Sequence, residues 1–388
     1  MRKSLLASAV LAAIAVPALA DSVTVYGQAN AALEFASKDA GGAAGKVTTT
    51  RVDAGSNLNT PSRIGFKGEE DLGGGLKAWF QIEQAVALDD AGADGNTNSN
   101  FASREGWVGL SGDFGKFGLG RGKSPYTNLA DTFDGLVDAA GNLESYNVDS
   151  VVKGTNGVIT KRFNNAVRYD TNSIEGFKGA IMYGTGENKT STTPNTNYFS
   201  IGANYTAGAL FVGAAYNDET NLGGVSGVKH DAWLLAGTYS IDTLKFGLGY
   251  QTAKQTINFA VPAAYLGAAT TINTVKRDAF LTSVSYGMGP TTLKAGAVFF
   301  QKAKLETSTL GNGDVANSDF VRWTLGADYA FSKATYALFE ISGDSIKGAF
   351  KGSPLGNAAV PTFNAAGALT SAGAATTSAV SFGLSHKF

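Results

Sequence analysis

Cysteine is absent from all 388 residues. That excludes a disulfide framework, a zinc–thiolate centre and a cysteine nucleophile. Only two histidines occur, His230 and His386, far apart in the chain. Neither a GxSxG nor an HExxH pattern is present, so nucleophile-elbow hydrolysis and zincin chemistry lack their residues. Proline is scarce, at 8 residues, which excludes collagen-like and proline-rich linker classes. Neither charge sign dominates: 31 Lys+Arg stand against 32 Asp+Glu. No basic footprint for nucleic acid follows from that balance. Beyond the first twenty residues no run of ~18 apolar residues appears, so no transmembrane helix is expected.

The abundant residues point elsewhere. Glycine takes 50 positions, nearly twice the usual ~7 %. Phe, Tyr and Trp number 23, 14 and 4, too many for a disordered chain. The N-terminus is a separate object. Arg2 and Lys3 precede an apolar stretch from Leu5 to Val16, and Ala18-Leu19-Ala20 ends it with small residues around Leu19. This pattern is a secretory signal peptide over 1–20, cleaved before Asp21.

Over the remainder, 21–388, alternation of period two recurs in stretches of about ten residues. Leu244, Phe246, Leu248 and Tyr250 alternate with Lys245, Gly247, Gly249 and Gln251; Val321, Trp323, Leu325 and Tyr329 alternate with Arg322, Thr324 and Asp328. Each strand therefore has one oily and one polar or glycine face. A soluble sandwich would bury the oily face, and a membrane barrel would turn it to lipid. Connection lengths favour the barrel. Short turns near 71–75, 111–115, 207–208, 241–243, 287–290 and 332–333 alternate with long polar loops near 36–59, 89–99, 124–161, 188–196, 220–228, 255–274, 304–318 and 345–376. Turns on one membrane side and loops on the other are the arrangement of an up-and-down barrel. Sixteen strands are expected, near 22–35, 61–70, 76–88, 100–110, 116–123, 162–172, 177–187, 197–207, 209–219, 229–240, 243–254, 275–286, 291–303, 319–331, 334–344 and 377–388. The fold class is thus an all-β, 16-stranded antiparallel transmembrane barrel, wide enough for an aqueous channel. Val380, Phe382, Leu384, His386 and Phe388 share one face of the last strand, which is expected to close on the first.

Several segments together resemble a known family. They are Val23-Thr24-Val25-Tyr26-Gly27, the run from Ser62 through Gly68-Glu69-Glu70-Asp71-Leu72-Gly73-Gly74-Gly75 to Ala78, and Arg104-Glu105-Gly106-Trp107-Val108-Gly109-Leu110. Gly115-Lys116-Phe117-Gly118-Leu119-Gly120-Arg121, Asn165-Ala166-Val167-Arg168-Tyr169-Asp170 and the terminal Phe388 complete the set. The chain is similar to the general diffusion porins of Gram-negative outer membranes, of the beta-proteobacterial and neisserial type. That resemblance implies a homotrimer of barrels among outer-membrane lipid and lipopolysaccharide, passing small hydrophilic solutes and ions. It implies no cofactor. It also implies that the third long loop, 124–161, folds into the lumen as a constriction where wall bases face loop acids.

The residue pattern supplies candidates for that constriction. Ile64 and Phe66 point outward, so Arg63, Gly65 and Lys67 point inward; Arg168 faces inward by the same test. A lipid-facing Arg at mid-membrane costs about 2–4 kcal/mol, which favours the lumen. Arg104 has the parity of Val108 and Leu110 and is inward only if Trp107 faces lipid; its family position favours the lumen. Asp131, Asp134 and Asp138 of the loop are the acidic counterparts, readable also as one face of a short helical turn. Lys67, Lys77, Arg121 and Lys123 are further pore-lining candidates. Inward strand positions hold Arg63, Lys67, Lys77, Arg168, Lys245, Lys294 and Arg322 against Glu34, Glu83, Asp170 and Asp328. That excess predicts mild anion preference, which Asp131, Asp134 and Asp138 could reverse. An outer-membrane barrel enzyme and a surface adhesin with the long loops as contact surface are the competing classes. No metal site is expected.

Overall fold

The computed structural model describes residues 22–39, 46–53, 62–86, 88, 101–133, 162–187, 189–261, 270–308, 311–314, 319–346, 362–363, 369–370 and 376–388. The expected signal peptide lies outside the described residues. Sixteen strands form the wall. They are β1 (Ser22–Asp39), β2 (Arg63–Gly73), β3 (Leu76–Ala85), β4 (Glu105–Gly112), β5 (Gly115–Lys123), β6 (Arg162–Asp170), β7 (Phe177–Thr185) and β8 (Asn197–Ala207). The second half is β9 (Leu210–Thr220), β10 (Lys229–Ile241), β11 (Leu244–Val261), β12 (Thr270–Met288), β13 (Thr291–Phe300), β14 (Phe320–Ala330), β15 (Thr335–Ile346) and β16 (Thr376–Lys387).

Every strand pairs antiparallel with its sequence neighbours, and β16 pairs with β1 from Gln28–Lys387 to Asp39–Thr376. The sheet closes on itself, so no strand edge is left for unwanted pairing. Phe388 completes the seam: its N–H and carbonyl exchange hydrogen bonds with Gly27 at 3.1 and 2.9 Å. Its ring lies where a Gly27 side chain would be, with Cζ 2.4 Å from the position of a Cβ. Glycine is required there because the aromatic covers the backbone.

The alternation sorts the two faces as expected. Trp233, Leu235, Tyr239, Leu248, Phe280, Leu325 and Phe382 are exposed on the outside, whereas Gln28, Asn30, Ser200, Asn217, Gln251 and Ser385 are buried inside. Three expected loops contain more structure than polarity suggested. Lys46–Asp53 pairs with the upper end of β1, Lys304–Thr307 and Asn312–Asp314 form a hairpin beside β12, and Thr362–Phe363 pairs with Leu369–Thr370. The strand expected from residue 100 begins only at Glu105, because the chain bends through 101–104 and Ala102 sits at φ 72°.

Among the described residues, one α-helix, α1 (Pro125–Phe133), interrupts the strands. Its start is written locally. Ser124 caps it, its Oγ accepting the Thr127 N–H at 3.1 Å, and Pro125 occupies the first helical position, where no N–H is needed. The helix lies inside the barrel against β8–β11. Tyr126 is fully buried; its N–H donates to Ser200 Oγ at 3.2 Å and its hydroxyl accepts from Gln251 Nε2 at 2.5 Å. Leu129 rests on Gly213, with Cδ1 2.5 Å from where a Cβ would stand. Beneath it the inner wall carries Ala215, Ala232, Leu234 and Ala236, all buried. A lumen face covered by a helix is small and apolar, which the simple polar-inside pattern did not anticipate.

Candidate functional site

Beside that apolar seat, the inner faces of β1–β9, the end of β16 and the free side of α1 enclose a water-accessible cavity of about 960 Å³. Its charged side chains come in pairs. Glu83 on β3 binds Arg104 at 2.5 Å and stands 3.8 Å from Arg63, whose Nη2 also donates to Gln28 Oε1 at 3.1 Å. Arg168 on β6 grips Asp170 with two hydrogen bonds, at 2.7 and 2.6 Å, and donates to the Lys123 carbonyl at 2.7 Å. Lys123, at the end of β5, is ion-paired to Asp131 of α1. Arg162 and Glu105 meet at 3.2 Å, and Glu105 also accepts from Trp107 Nε1 at 2.8 Å. Lys116, Lys178 and Lys387 line the same space. Among the described residues lining the cavity, eight are basic and four acidic.

The expected site residues separate into groups. Arg63, Arg104, Arg168, Lys123 and Asp131 all line the cavity. Asp134 and Asp138 lie outside the described residues. Lys67 faces the lumen but lies over the Tyr26 ring, 5.4 Å from its centroid, and Lys77 is paired with Glu69 at 2.5 Å nearer the short turns; neither lines the cavity. Arg121 does not line it either. It shares parity with the exposed Phe117 and Leu119, and its guanidinium holds the Ser103 carbonyl at 3.0 Å and the Asn164 side chain. Of the two readings left open for this strand, the one with Trp107 toward lipid does not hold: Val108 and Leu110 are exposed, and Trp107 is buried among Phe163, Ala166 and Met182. Arg104 reaches the lumen for another reason. It precedes β4 in the bent segment 101–104, where strand parity no longer applies.

Sequence reasoning missed Lys116, Arg162, Lys178, Lys387, Trp79 and Glu105. A parity test would have found Lys116, since Phe117 and Leu119 point outward. Arg162 was beyond such a test, because the β5–β6 register shifts between Gly120 and Gly122 and Asn165 adopts φ 46°.

A closed sixteen-stranded barrel, oily outside and charged within, with a helix laid along its inner wall, defines an outer-membrane channel. The Gram-negative porin family matches residues 7–348, and the chain belongs to that family. It is 30% identical over 342 residues to the major outer membrane protein P.IB of Neisseria meningitidis serogroup B, covering 87% of this chain and 92% of that protein. It is 33% identical over 260 residues to outer membrane porin protein 32 of Delftia acidovorans, covering 65% and 70%. Two solved structures share the fold: an anion-selective porin from Comamonas acidovorans (22% identity, TM-score 0.69, 95% and 99% covered) and OmpT of Vibrio cholerae in its trimer form (17%, 0.60, 95% and 99%). The chain is an outer-membrane channel for passive diffusion of small hydrophilic solutes and ions.

Proposed function

We propose that Arg63, Arg104, Arg168 and Lys123 form the basic side of the channel's constriction, Asp131 its acidic side, and that the pore prefers anions mildly. The observation that carries this reading is the charge of the cavity wall, eight bases against four acids among the described residues. Exposed charges beyond about 8–10 Å are screened in physiological salt, so these near charges outweigh rim charges for an ion in transit. The anion-selective porin from Comamonas acidovorans, similar in fold, is consistent with it. The test is the reversal potential of single channels in a potassium chloride gradient. The native protein is expected to favour chloride, and Arg63→Glu and Arg168→Glu are each expected to move the potential toward potassium. A native channel that favours potassium, or two reversals without effect, would overturn the assignment.

The reading extends to processing and assembly. Cleavage after Ala20 would start the mature chain at Asp21, which N-terminal sequencing of outer-membrane material reads directly. A homotrimer packed through β1 is supported by that strand's outward Ala29 and Ala31, whose small side chains permit close approach. The aromatics Trp233, Tyr239 and Phe246, exposed on β10 and β11, would then face lipid and lipopolysaccharide.

A further inference from the structure

On the short-turn side of the constriction the inner wall holds a second group of cations. Lys116, first inward residue of β5, is directly opposite Asp170 on β6; Asp170 is opposite Ala180 on β7, and Lys178 is the next inward residue beside it. Two inter-strand spacings, about 10 Å, separate the β5 and β7 backbones, a gap that two lysine side chains can close around a small ion. Both oxygens of Asp170 are taken by Arg168, at 2.6 and 2.7 Å. Among the described residues, neither Lys116 nor Lys178 has a carboxylate at ion-pair distance.

The Lys116 ammonium is nevertheless fixed in place. It sits 3.7 Å from the centroid of the Trp79 ring, a cation–π contact. That ring lies flat on the wall because Gly109 and Gly118 leave room for it: a Cβ on either would stand 2.8 Å from its atoms. Trp79 Nε1 is tied to the Phe117 carbonyl at 3.2 Å. An aromatic support holds a lysine without neutralising it, as a carboxylate would. Thr171 also lines the cavity; its Oγ1 accepts the Gly179 N–H at 2.9 Å, leaving its hydroxyl hydrogen to donate. Asn204, opposite Lys178, lines it as well.

We propose that Lys116 and Lys178, with Arg168 of the constriction beside them, form a dwell site for a doubly charged oxyanion of the phosphate or sulfate class at the short-turn edge of the constriction. Three cations less the Asp170 carboxylate leave a charge of two, matching such an ion, and the lumen hydroxyl and amide supply hydrogen bonds to its oxygens. The site deepens the anion-preference reading and rests on it, since it treats the lumen charge as meeting solutes. It differs in kind: a charged wall biases flux, whereas a dwell site saturates.

The experiment measures chloride current through single channels of the full mature protein while inorganic phosphate is added to one side. Saturable block is expected, at lower concentration from the short-turn face than from the loop face. Acetate, a single negative charge, is expected to block at least tenfold more weakly. Lys116→Gln with Lys178→Gln is expected to raise the half-blocking phosphate concentration at least tenfold. Retained heat-modifiable mobility serves as the folding control. Absent or non-saturating block of the native channel, equal block by acetate, or unchanged block in the double variant would each overturn the site. The reversal potential in potassium chloride is recorded on the same channels. A native channel without anion preference that still shows lysine-dependent phosphate block would overturn the selectivity reading and leave the site standing.

Discussion

Glu83 holds two arginines at once, Arg104 at 2.5 Å and Arg63 at 3.8 Å. One carboxylate cannot neutralise both, so this corner of the wall keeps a positive excess while its side chains stay ordered. Glu83→Gln removes the acid but keeps an acceptor oxygen. It is expected to shift the reversal potential further toward anions and to lower unfolding stability by about 1.5–3 kcal/mol, the usual worth of a hydrogen bond to a charged group. Denaturant unfolding in detergent checks the second effect. Gly109 tests packing rather than charge. A Cβ there would stand 2.0 Å from the Phe117 carbonyl and 2.8 Å from Trp79 Nε1. Gly109→Val should cost about 1–3 kcal/mol through overpacking, seen as a lower unfolding midpoint.

At the scale of the element, α1 owes its position to two anchors. Its start is capped by Ser124, and its body is pinned by Tyr126 between Ser200 and Gln251. Leu129 rests on Gly213, and Asp131 on the opposite side reaches Lys123. One short helix therefore joins an apolar seat on β8–β11 to a charged gap facing β5. Tyr126→Ala removes a fully buried ring and both its hydroxyl bond and its packing. Truncating a buried aromatic costs about 3–5 kcal/mol, enough to release the helix while the barrel persists. The expected result is larger, noisier single-channel current with unchanged β-type circular dichroism. Unaltered current noise would show that the loop is held by other contacts.

For the whole molecule, closure is the governing event. Sixteen strands become a channel only when β16 meets β1, and the last bond of that seam is the Gly27–Phe388 exchange. Deleting Phe388 removes two backbone hydrogen bonds, about 1 kcal/mol each, together with the ring that covers Gly27. A lower yield of heat-modifiable folded protein and a reduced transition temperature are expected on electrophoresis of unheated samples. An undiminished transition temperature would mean that the rest of the seam suffices.

The sequence alone determined the number of strands, their order and the hand of each face, because alternation and loop length are local properties that lipid outside and water inside both reward. It also determined Arg63 and Arg168 as inward residues, since Arg63 is followed by regular alternation with the apolar Ile64 and Phe66 on the other face, and Arg168 stands between Val167 and Tyr169. Parity failed wherever the backbone left regular geometry: at the bend through Arg104 and at the register shift above Gly120. Trp107, inside a regular strand, obeys it, pointing inward between the outward Val108 and its neighbours. Only the tertiary structure decided which inward charges share one space. Lys67, Lys77 and Lys116 are equivalent in pattern, yet only Lys116 lines the cavity. The physical reason is register and height along the barrel: strand stagger places residues of unrelated sequence position on one level, and α1, held by Tyr126 far across the wall, sets the level at which the lumen narrows.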